Sequence, residues 1–278
     1  MKSYVKSTVT YCFLILLGIV MIYPLLWIFA SSFKSNDEIF TNIGLIPSKF
    51  TMDSYSKGWL SSGQYTYGTF FLNTFKLVIP TVLFTILSSC IVAYGFARFK
   101  FPMKKAMFAL VIATLLLPNE IIIIPRYILF KNFGWLNSYW PFIIPALFGT
   151  YSFFIFMMLQ FIRSIPKELD ESARIDGCNS FMILWRIILP LCKPAIFSIA
   201  IFQFVWRWND FLNVLIYVNS VAKFPISLAL RMSMDVTGTV AWNQLMAMSI
   251  LCIVPPMLIF FLAQKYFVEG IATTGIKG

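Results

Sequence analysis

The chain has 278 residues, of which 59% are hydrophobic and only 12% are charged, and its mean hydropathy is +0.81. A soluble domain carries about 25% charged residues, so this composition excludes an ordinary soluble domain and indicates that lipid is the solvent. The net charge of +11 does not indicate a nucleic-acid partner, because the basic residues are dispersed between apolar segments and suit the anionic cytoplasmic face of a membrane.

Six apolar segments are long enough to cross a bilayer, which takes about 20 residues of helix. We place these spans at residues 9–30, 77–97, 106–130, 140–162, 194–217 and 242–267. The first exceeds the apolar core of a cleavable signal peptide, about 7–15 residues, so we expect it to remain as a helix. With no repeat in the sequence, the chain is predicted to be a single all-α transmembrane domain over residues 1–278.

The distribution of basic residues predicts the orientation of the chain. Six spans place both termini on one side, and the turn at 98–105 holds four basic residues. When the N-terminus, this turn, the loop 163–193 and the tail are assigned to the cytoplasm, they carry more lysine and arginine than the three outer loops. The positive-inside rule therefore predicts that both termini are cytoplasmic.

Prolines interrupt two of the spans. The third contains Pro118 and Pro125 and is expected to bend, and the last is expected to break at Pro255-Pro256. Glu120 should face the bundle interior or be solvated near the outer interface, because a lone carboxylate in lipid is costly. A short loop containing Arg126, Lys131 and Gly134 is predicted between the third and fourth spans.

The loop between the fourth and fifth spans is the longest polar stretch near the middle of the chain. Ser164 is predicted to cap a short helix with Pro166 in its first turn, and Gly177 to end it. Ile165, Leu169 and Ala173 recur at helical spacing and predict one apolar stripe. A second apolar turn should follow and end at Pro190. A plain charged connector between two membrane helices is the alternative interpretation.

The residue order of this loop resembles the signature of membrane subunits of bacterial binding-protein-dependent ABC importers. Glu171-Ser172-Ala173 is followed by three residues, Gly177, nine residues, Ile187, one residue and Leu189-Pro190, with Ser172 where alanine is usual. The resemblance implies that residues 164–190 form the coupling helix that docks into the ATP-hydrolysing subunit. The implied coupling residues are Glu168, Glu171, Ser172, Ala173, Asp176, Gly177, Ile187, Leu189 and Pro190.

Further segments extend the resemblance over nearly the whole chain. They are FLNT, LPNEIIIIP, FKNFGWLNS, WND, QKYFVEG and the ending GIATTGIKG. Together they resemble the second-position permease of the maltose and multiple-sugar importer group, which is an ABC importer type I fold. The resemblance implies a sugar substrate in a bacterial cytoplasmic membrane, a second related permease subunit as heterodimer partner, two ATP-binding subunits and an extracellular solute-binding protein. It also implies that the outer loop 232–241 reaches into the binding protein, although a plain connector is the alternative.

The glycine-rich tail is not a phosphate-binding loop. Gly270 and Gly275 enclose four residues, but the lysine is Lys277 and no Ser or Thr follows it. The resemblance implies instead that Gly270, Gly275 and Lys277 contact the ATPase subunits. We therefore expect no cofactor on this chain, with ATP and magnesium held by the partner ATPase.

A polar stripe in the fifth span is the candidate translocation path. Gln203, Arg207 and Asp210 fall at i, i+4 and i+7, on one helical face, and a charge facing lipid costs at least about 2–3 kcal/mol. With Asn209 and Glu120, these residues are predicted to line the pore. An Arg207–Asp210 pair, or a charge shared with Glu120, that merely holds helices together is the alternative. At most one of Trp206 and Trp208 should line the cavity.

Two other functions compete with the importer hypothesis. An ion-gradient-driven secondary transporter would explain broken helices and intramembrane charges, but it leaves the central loop unexplained. An intramembrane enzyme is disfavoured because the chain has no histidine and its five cysteines show no paired spacing, which excludes thiolate–imidazole zinc sites and nucleophiles activated by histidine. Catalysis by paired carboxylates stays open.

Overall fold

The computed structural model describes residues 2–60, 64–234 and 240–275, with side chains for residues 7–60, 64–234 and 240–264. Within these ranges the chain forms helices, turns and irregular segments, and no strand. The α-helices are α1 Lys2–Ser31, α2 Asn36–Thr41, α3 Asp53–Leu60, α4 Tyr67–Arg98, α5 Lys104–Leu115, α6 Asn119–Asn132, α7 Trp140–Leu147, α8 Ser152–Ser164, α9 Glu168–Ile175, α10 Ser180–Ile183, α11 Leu189–Leu191, α12 Lys193–Trp208, α13 Leu212–Tyr217, α14 Ile226–Met232 and α15 Trp242–Gly275.

Long apolar helical stretches confirm an all-helical membrane protein. Four described stretches are long and apolar enough to cross a bilayer on their own: Ser7–Ser31, Tyr67–Arg98, Trp140–Ser164 and Trp242–Gln264. Two further pairs of helices meet these criteria together but are bent, Lys104–Leu115 with Asn119–Asn132 and Ser180–Leu191 with Lys193–Trp208. The chain thus offers four candidate spans, or six when each bent pair counts as one.

The chain divides into two compact units, of which the smaller comprises Met1–Phe70 and Ala229–Pro255. Hydrogen bonds between distant segments hold this unit together. The Asn36 side chain accepts the backbone N–H of Trp242 at 2.7 Å, and the hydroxyls of Tyr67 and Ser233 lie 2.6 Å apart. In the irregular segment after α2, the backbone N–H of Ser48 donates to Glu38 at 2.6 Å, and this bond holds the pKa of Glu38 below its usual value.

The larger unit, Phe71–Leu228 and Pro256–Gly278, contains the main hydrophobic core of the described chain. The core joins the C-terminal half of α4, the whole of α8 and the start of α12 to the segment between α9 and α11. Its fully buried members include Ala93, Ile162, Ile183, Ile188 and Cys192. Because the polar central segment packs on the same core as the long helices, its position is fixed by them.

The third predicted span, 106–130, is not one bent helix. Helices α5 and α6 meet at 106°, and Pro118 between them has an extended backbone, with φ −61° and ψ 142°. A proline disfavours helical geometry in the residue before it and supplies no N–H to the preceding turn, which explains why the chain breaks here. Pro125, by contrast, lies inside α6.

The fifth and sixth predicted spans also differ from expectation. The segment 194–217 is not one continuous helix, because α12 ends at Trp208 and α13 begins only at Leu212. The predicted break at Pro255-Pro256 is wrong, since α15 runs from Trp242 to Gly275 with both prolines inside it.

Candidate functional site

The central helix begins later than the sequence predicts. Ser164 is the last residue of α8, and its hydroxyl donates to the carbonyl of Phe161 at 2.7 Å, so the prediction that it caps the next helix is wrong. Ile165 is extended, with φ −80° and ψ 127°, as expected for a residue that precedes a proline. Pro166 consequently lies before α9 rather than in its first turn, and α9 starts at Glu168.

The end of α9 is a glycine-based stop, as the sequence predicts. Gly177 has a φ of +82°, a conformation that glycine adopts without steric cost. Its N–H donates to the carbonyl of Arg174 at 3.0 Å, and the N–H of Cys178 donates to that of Ala173 at 2.9 Å. This pair of bonds is a Schellman motif, and a Cβ placed on Gly177 would meet nothing within 4 Å. The surface at this turn is therefore open, with no neighbouring side chain of the described residues over Gly177.

A buried ion pair ties α9 to the end of α4. The Nε of Arg98 lies 2.6 Å from Oδ2 of Asp170, and their side chains are only 3% and 8% exposed. Arg98 also donates to the carbonyl of Ile165 at 3.0 Å. The predicted apolar stripe is therefore only partly correct: Ile165 and Ala173 are buried, but Leu169 is 42% exposed because the charged Asp170 takes the inward position beside Arg98.

The structure sorts the predicted coupling residues into two groups. Glu168, Glu171, Ser172, Asp176, Gly177 and Pro190 are exposed, whereas Ala173 is buried and Ile187 and Leu189 are half-buried against the core. Between α10 and α11 the segment Leu184–Ile188 forms a π-helical turn. The exposed group is available to a partner, while the second group holds the segment on its own chain.

A cavity of about 710 Å³ lies among α5, α6, α7, α8, α12 and α13, all within the larger unit. Aromatic and polar side chains share its wall with several aliphatic residues and prolines. The aromatic residues are Phe130, Phe142, Tyr151, Phe153, Phe154, Trp206 and Tyr217, and the main polar ones are Thr114, Asn119, Arg126, Thr150, Ser152, Arg207 and Asn213. Apolar walls with a few polar groups are typical of sites for small molecules.

A continuous chain of polar contacts crosses this cavity. Arg126 donates to Asn119 at 3.2 Å, and the amide of Asn119 lies 3.5 Å from that of Asn213. Asn213 donates from its side chain to Oδ1 of Asp210 at 2.9 Å, and the carboxylate of Asp210 pairs with Arg207. The guanidinium of Arg207 also lies 5.4 Å from the ring centres of Phe142 and Tyr151, within the range of cation–π attraction.

The predicted polar stripe is only partly assembled. Asp210 lies beyond the end of α12, so the three residues do not share a helical face, and Gln203 is fully buried and donates to Thr85 at 3.1 Å. Asn209 is exposed and donates to the carbonyl of Val205 in its own helix. Of the stripe, only Arg207 lines the cavity, with Asp210 as its partner.

The structure also shows where the two tryptophans, Glu120 and Arg126 lie. Trp206 lines the cavity, whereas Trp208 is buried against Phe71, Phe75 and Phe204, which confirms that only one of the two tryptophans points there. Glu120 is exposed in the first turn of α6 and is not a lining residue. Arg126 lies inside α6 rather than in a loop, so that prediction is wrong.

The remaining predicted residues lie near or beyond the edge of the described chain. Gly270 and Gly275 fall in α15, where the structure describes the backbone alone. Lys277 lies outside the described residues. The same holds for residues 235–239 of the predicted outer loop 232–241, while α14 ends at Met232 and α15 begins at Trp242.

The family model for "Binding-protein-dependent transport system inner membrane component" matches residues 85–273, which include α9, its glycine stop and the cavity. The chain belongs to this family. Members are the transport components of ABC importers, and a separate subunit hydrolyses the ATP. Membership accounts for the central loop, which neither a secondary transporter nor an intramembrane enzyme explains.

Individual relatives match over the whole chain. The chain is 32% identical to the probable ABC transporter permease protein YurM of Bacillus subtilis, over 100% of this chain and 91% of the relative. It is 31% identical to the polygalacturonan/rhamnogalacturonan transport system permease protein YtcP of the same organism, over 100% of both. The arabinooligosaccharides transport system permease protein AraQ of Halalkalibacterium halodurans is 32% identical over 94% of this chain and 93% of the relative.

A solved structure has the same fold. A chain of a bacterial ABC transporter involved in the import of the acidic polysaccharide alginate superposes with a TM-score of 0.85 at 20% identity, covering 96% of this chain and 98% of that one. At this identity the likeness concerns the fold, which is therefore that of an ABC importer permease.

The sequence does not single out three structurally central residues. It indicates Arg98 only as one of the basic residues of a cytoplasmic turn, Asp170 only as an acidic residue near a helix start, and Arg126 as part of a loop. An arginine between IIIIP and YILF is an ionisable residue within an apolar run, which by itself indicates a functional site. The partners of Arg98 and Asp170 depend on tertiary contacts and gave no signal in the sequence.

Proposed function

We propose that this chain is a permease subunit of an ATP-driven ABC importer that moves a carbohydrate across the bacterial cytoplasmic membrane. The observation that carries the proposal is α9, an exposed acidic helix ended by a glycine stop and tied to a membrane helix by the Arg98–Asp170 pair. Such a helix can receive a force from a docked subunit and pass it to α4. The carbohydrate relatives YtcP and AraQ support the class of cargo.

The assembly follows from this role. With each bent pair counted as one span, the six spans leave both termini on the same side, and the distribution of basic residues supports the cytoplasm as that side. The exposed side chains of α9 then face an ATPase. A related permease completes the pathway as heterodimer partner, and two ATPase subunits hold the ATP and magnesium. A solute-binding protein delivers the sugar, as in the solved alginate ABC transporter in complex with a pentasaccharide-bound periplasmic protein. Transport proceeds by alternating access, in which ATP closes the ATPases and α9 moves with them.

Substitution of Gly177 tests the docking role of α9. Gly177→Glu should keep the protein in the membrane but abolish ATP-dependent uptake or release the ATPase, because a charged side chain would fill the open surface at the helix end. Gly177→Asn is the matched control, since asparagine tolerates the left-handed conformation and adds no charge. It should retain most uptake.

The measurement pairs radiolabelled sugar uptake with affinity purification through a tag on this chain and identification of the co-purifying subunits. Normal uptake by the Gly177→Glu variant would contradict docking through α9. Recovery of the tagged chain alone and monodisperse would contradict the assembly.

A further inference from the structure

Arg126 places a positive charge in the cavity that no carboxylate of the described chain neutralises. It lies inside α6 and donates to the amide oxygen of Asn119 at 3.2 Å, and its guanidinium lies beside the hydroxyl of Tyr217. An amide and a hydroxyl are dipoles rather than counter-charges. The other arginine of the cavity, Arg207, is paired with Asp210, so within the described residues this network holds two positive charges and one negative charge.

No described residue that lines the cavity is a counter-ion for Arg126. The lining residues of the cavity include Arg126 and Arg207 but no aspartate or glutamate. The nearest acidic residue along α6, Glu120, is exposed and does not line the cavity. Arg126 is half-buried in a bent helix pair that is a candidate membrane span. Ionisable groups in membrane spans are usually paired, so the cavity suits an anion from outside the chain.

The walls of the cavity suit a sugar that carries this anion. Tyr151, Phe153 and Trp206 present aromatic surface beside the polar contacts, and an aromatic surface next to hydrogen-bonding groups complements a pyranose ring, which has apolar faces and hydroxyl edges. A volume of about 710 Å³ is within the range of sites for small ligands. The planar fork of a guanidinium matches the two oxygens of a carboxylate.

Building on the function proposed above, we propose that the cavity binds a carboxylate-bearing sugar, an oligosaccharide of uronic acids, with Arg126 as the contact for the carboxylate. A neutral oligosaccharide of the same size would leave the charge of Arg126 without a counter-ion. The cavity therefore selects acidic over neutral sugars. Asn119 is a positioning residue, because its side chain holds the guanidinium towards the cavity.

The charge of the cavity can be measured without any sugar. Ile122 lines the cavity one turn before Arg126 on the same helix, so an Ile122→Cys reporter would lie next to the guanidinium. In the assembled importer, with the five native cysteines replaced by alanine and phosphatidylcholine nanodiscs as the membrane, the reporter is modified with an anionic and with a cationic methanethiosulfonate. Leu129→Cys, three residues after Arg126 and also a lining position, is the second reporter.

Arg126→Gln should lower the ratio of the anionic to the cationic rate about fivefold, as expected for one charge at roughly 8 Å acting on reagents of opposite sign in water. Arg126→Lys should restore the ratio. Lys131→Gln, which removes an exposed charge on the same helix that does not line the cavity, should leave it unchanged. A ratio that does not respond to Arg126→Gln at either reporter would overturn the proposal.

The sugar itself is tested by protection of the reporter. Trigalacturonic acid should slow modification, whereas its fully methyl-esterified form, which has the same rings and no charge, should not, and Arg126→Gln should remove the difference. Equal protection by both forms, or by neither, would overturn the proposal. So would a rate ratio that collapses when phosphatidylglycerol is added to the nanodiscs, because a lipid headgroup would then be the anion.

These outcomes are separate from a failure of the proposed function. ATP-dependent uptake of a neutral sugar together with equal protection would leave the importer intact and remove only the selectivity for acidic sugars. Uptake that survives ATP depletion and collapses with an uncoupler would refute the importer, whatever the charge of the cavity.

Discussion

Asp170→Asn is the sharpest test of the link between α9 and the membrane helices. The substitution keeps the size and shape of the side chain but removes the charge that faces Arg98 at 2.6 Å. Because the two side chains are 3% and 8% exposed, the guanidinium would remain buried without a counter-ion, which costs about 3–5 kcal/mol. That cost falls on the contact between α9 and the end of α4 rather than on the whole fold.

Hydrogen–deuterium exchange in the assembled complex in nanodiscs measures this effect. Since each 1.4 kcal/mol is a factor of ten, amides of α9 that exchange by local opening should exchange about 10²-fold to a few 10³-fold faster in the variant. Glu168→Gln is the matched control, because it also neutralises a carboxylate in the first turn but an exposed one. In this control the free energy of local opening of α9 should change by no more than roughly 0.3–1 kcal/mol, which is the size of a helix-dipole interaction.

A double variant separates the ion pair from other effects. Arg98→Met combined with Asp170→Leu removes both charges and should recover most of the protection, because a buried pair can often be replaced by apolar residues of similar volume. Exchange of α9 in Asp170→Asn within a few-fold of the unmodified chain would refute the reasoning. A double variant as unprotected as the single one would show that shape rather than charge holds α9.

Three further predictions concern the end of α12 and the outer loop. Asp210→Ala should lower sugar-stimulated uptake roughly tenfold or more while the complex keeps its basal ATPase activity, because Arg207 loses its counter-ion; failure to assemble would instead make the pair structural. Asn209→Ala should change uptake by no more than about twofold, since its amide serves only its own helix. Deletion of residues 236–239, which lie outside the described part of the chain, should impair uptake at unchanged membrane levels, and normal uptake would make that loop a plain connector.

The features predicted correctly from the sequence are those with a local cause. The left-handed end of α9 follows from Gly177 and the bonds around it, and the long apolar helices follow from composition. Likewise the directions of Trp206 and Trp208 follow from helical geometry, because residues two apart on a helix cannot point the same way.

The wrong predictions have two physical causes, proline and buried polar or charged groups. Pro118 interrupts the helix of the third predicted span, whereas Pro125, Pro255 and Pro256 lie inside helices. The sequence shows each proline but not the neighbouring helices and side chains that can satisfy the freed carbonyls of an interrupted helix. The start of α9 was misplaced for a similar reason, because Pro166 forced Ile165 to be extended and so separated Ser164 from the helix it was expected to cap.

Buried charge explains the misassigned stripes on α9 and α12. Periodicity assigns the inward face to apolar residues, yet Asp170 is buried while Leu169 is exposed, because Arg98 offers a partner 72 residues earlier in the chain. In the same way Gln203 does not face the cavity, because its side chain is buried and donates to Thr85 of α4. Both partners lie on α4, so contacts with this one helix account for the burial of Asp170 and of Gln203. Arg126 pairs with no carboxylate among the described residues, and under the proposal above its charge is the one that a cargo neutralises.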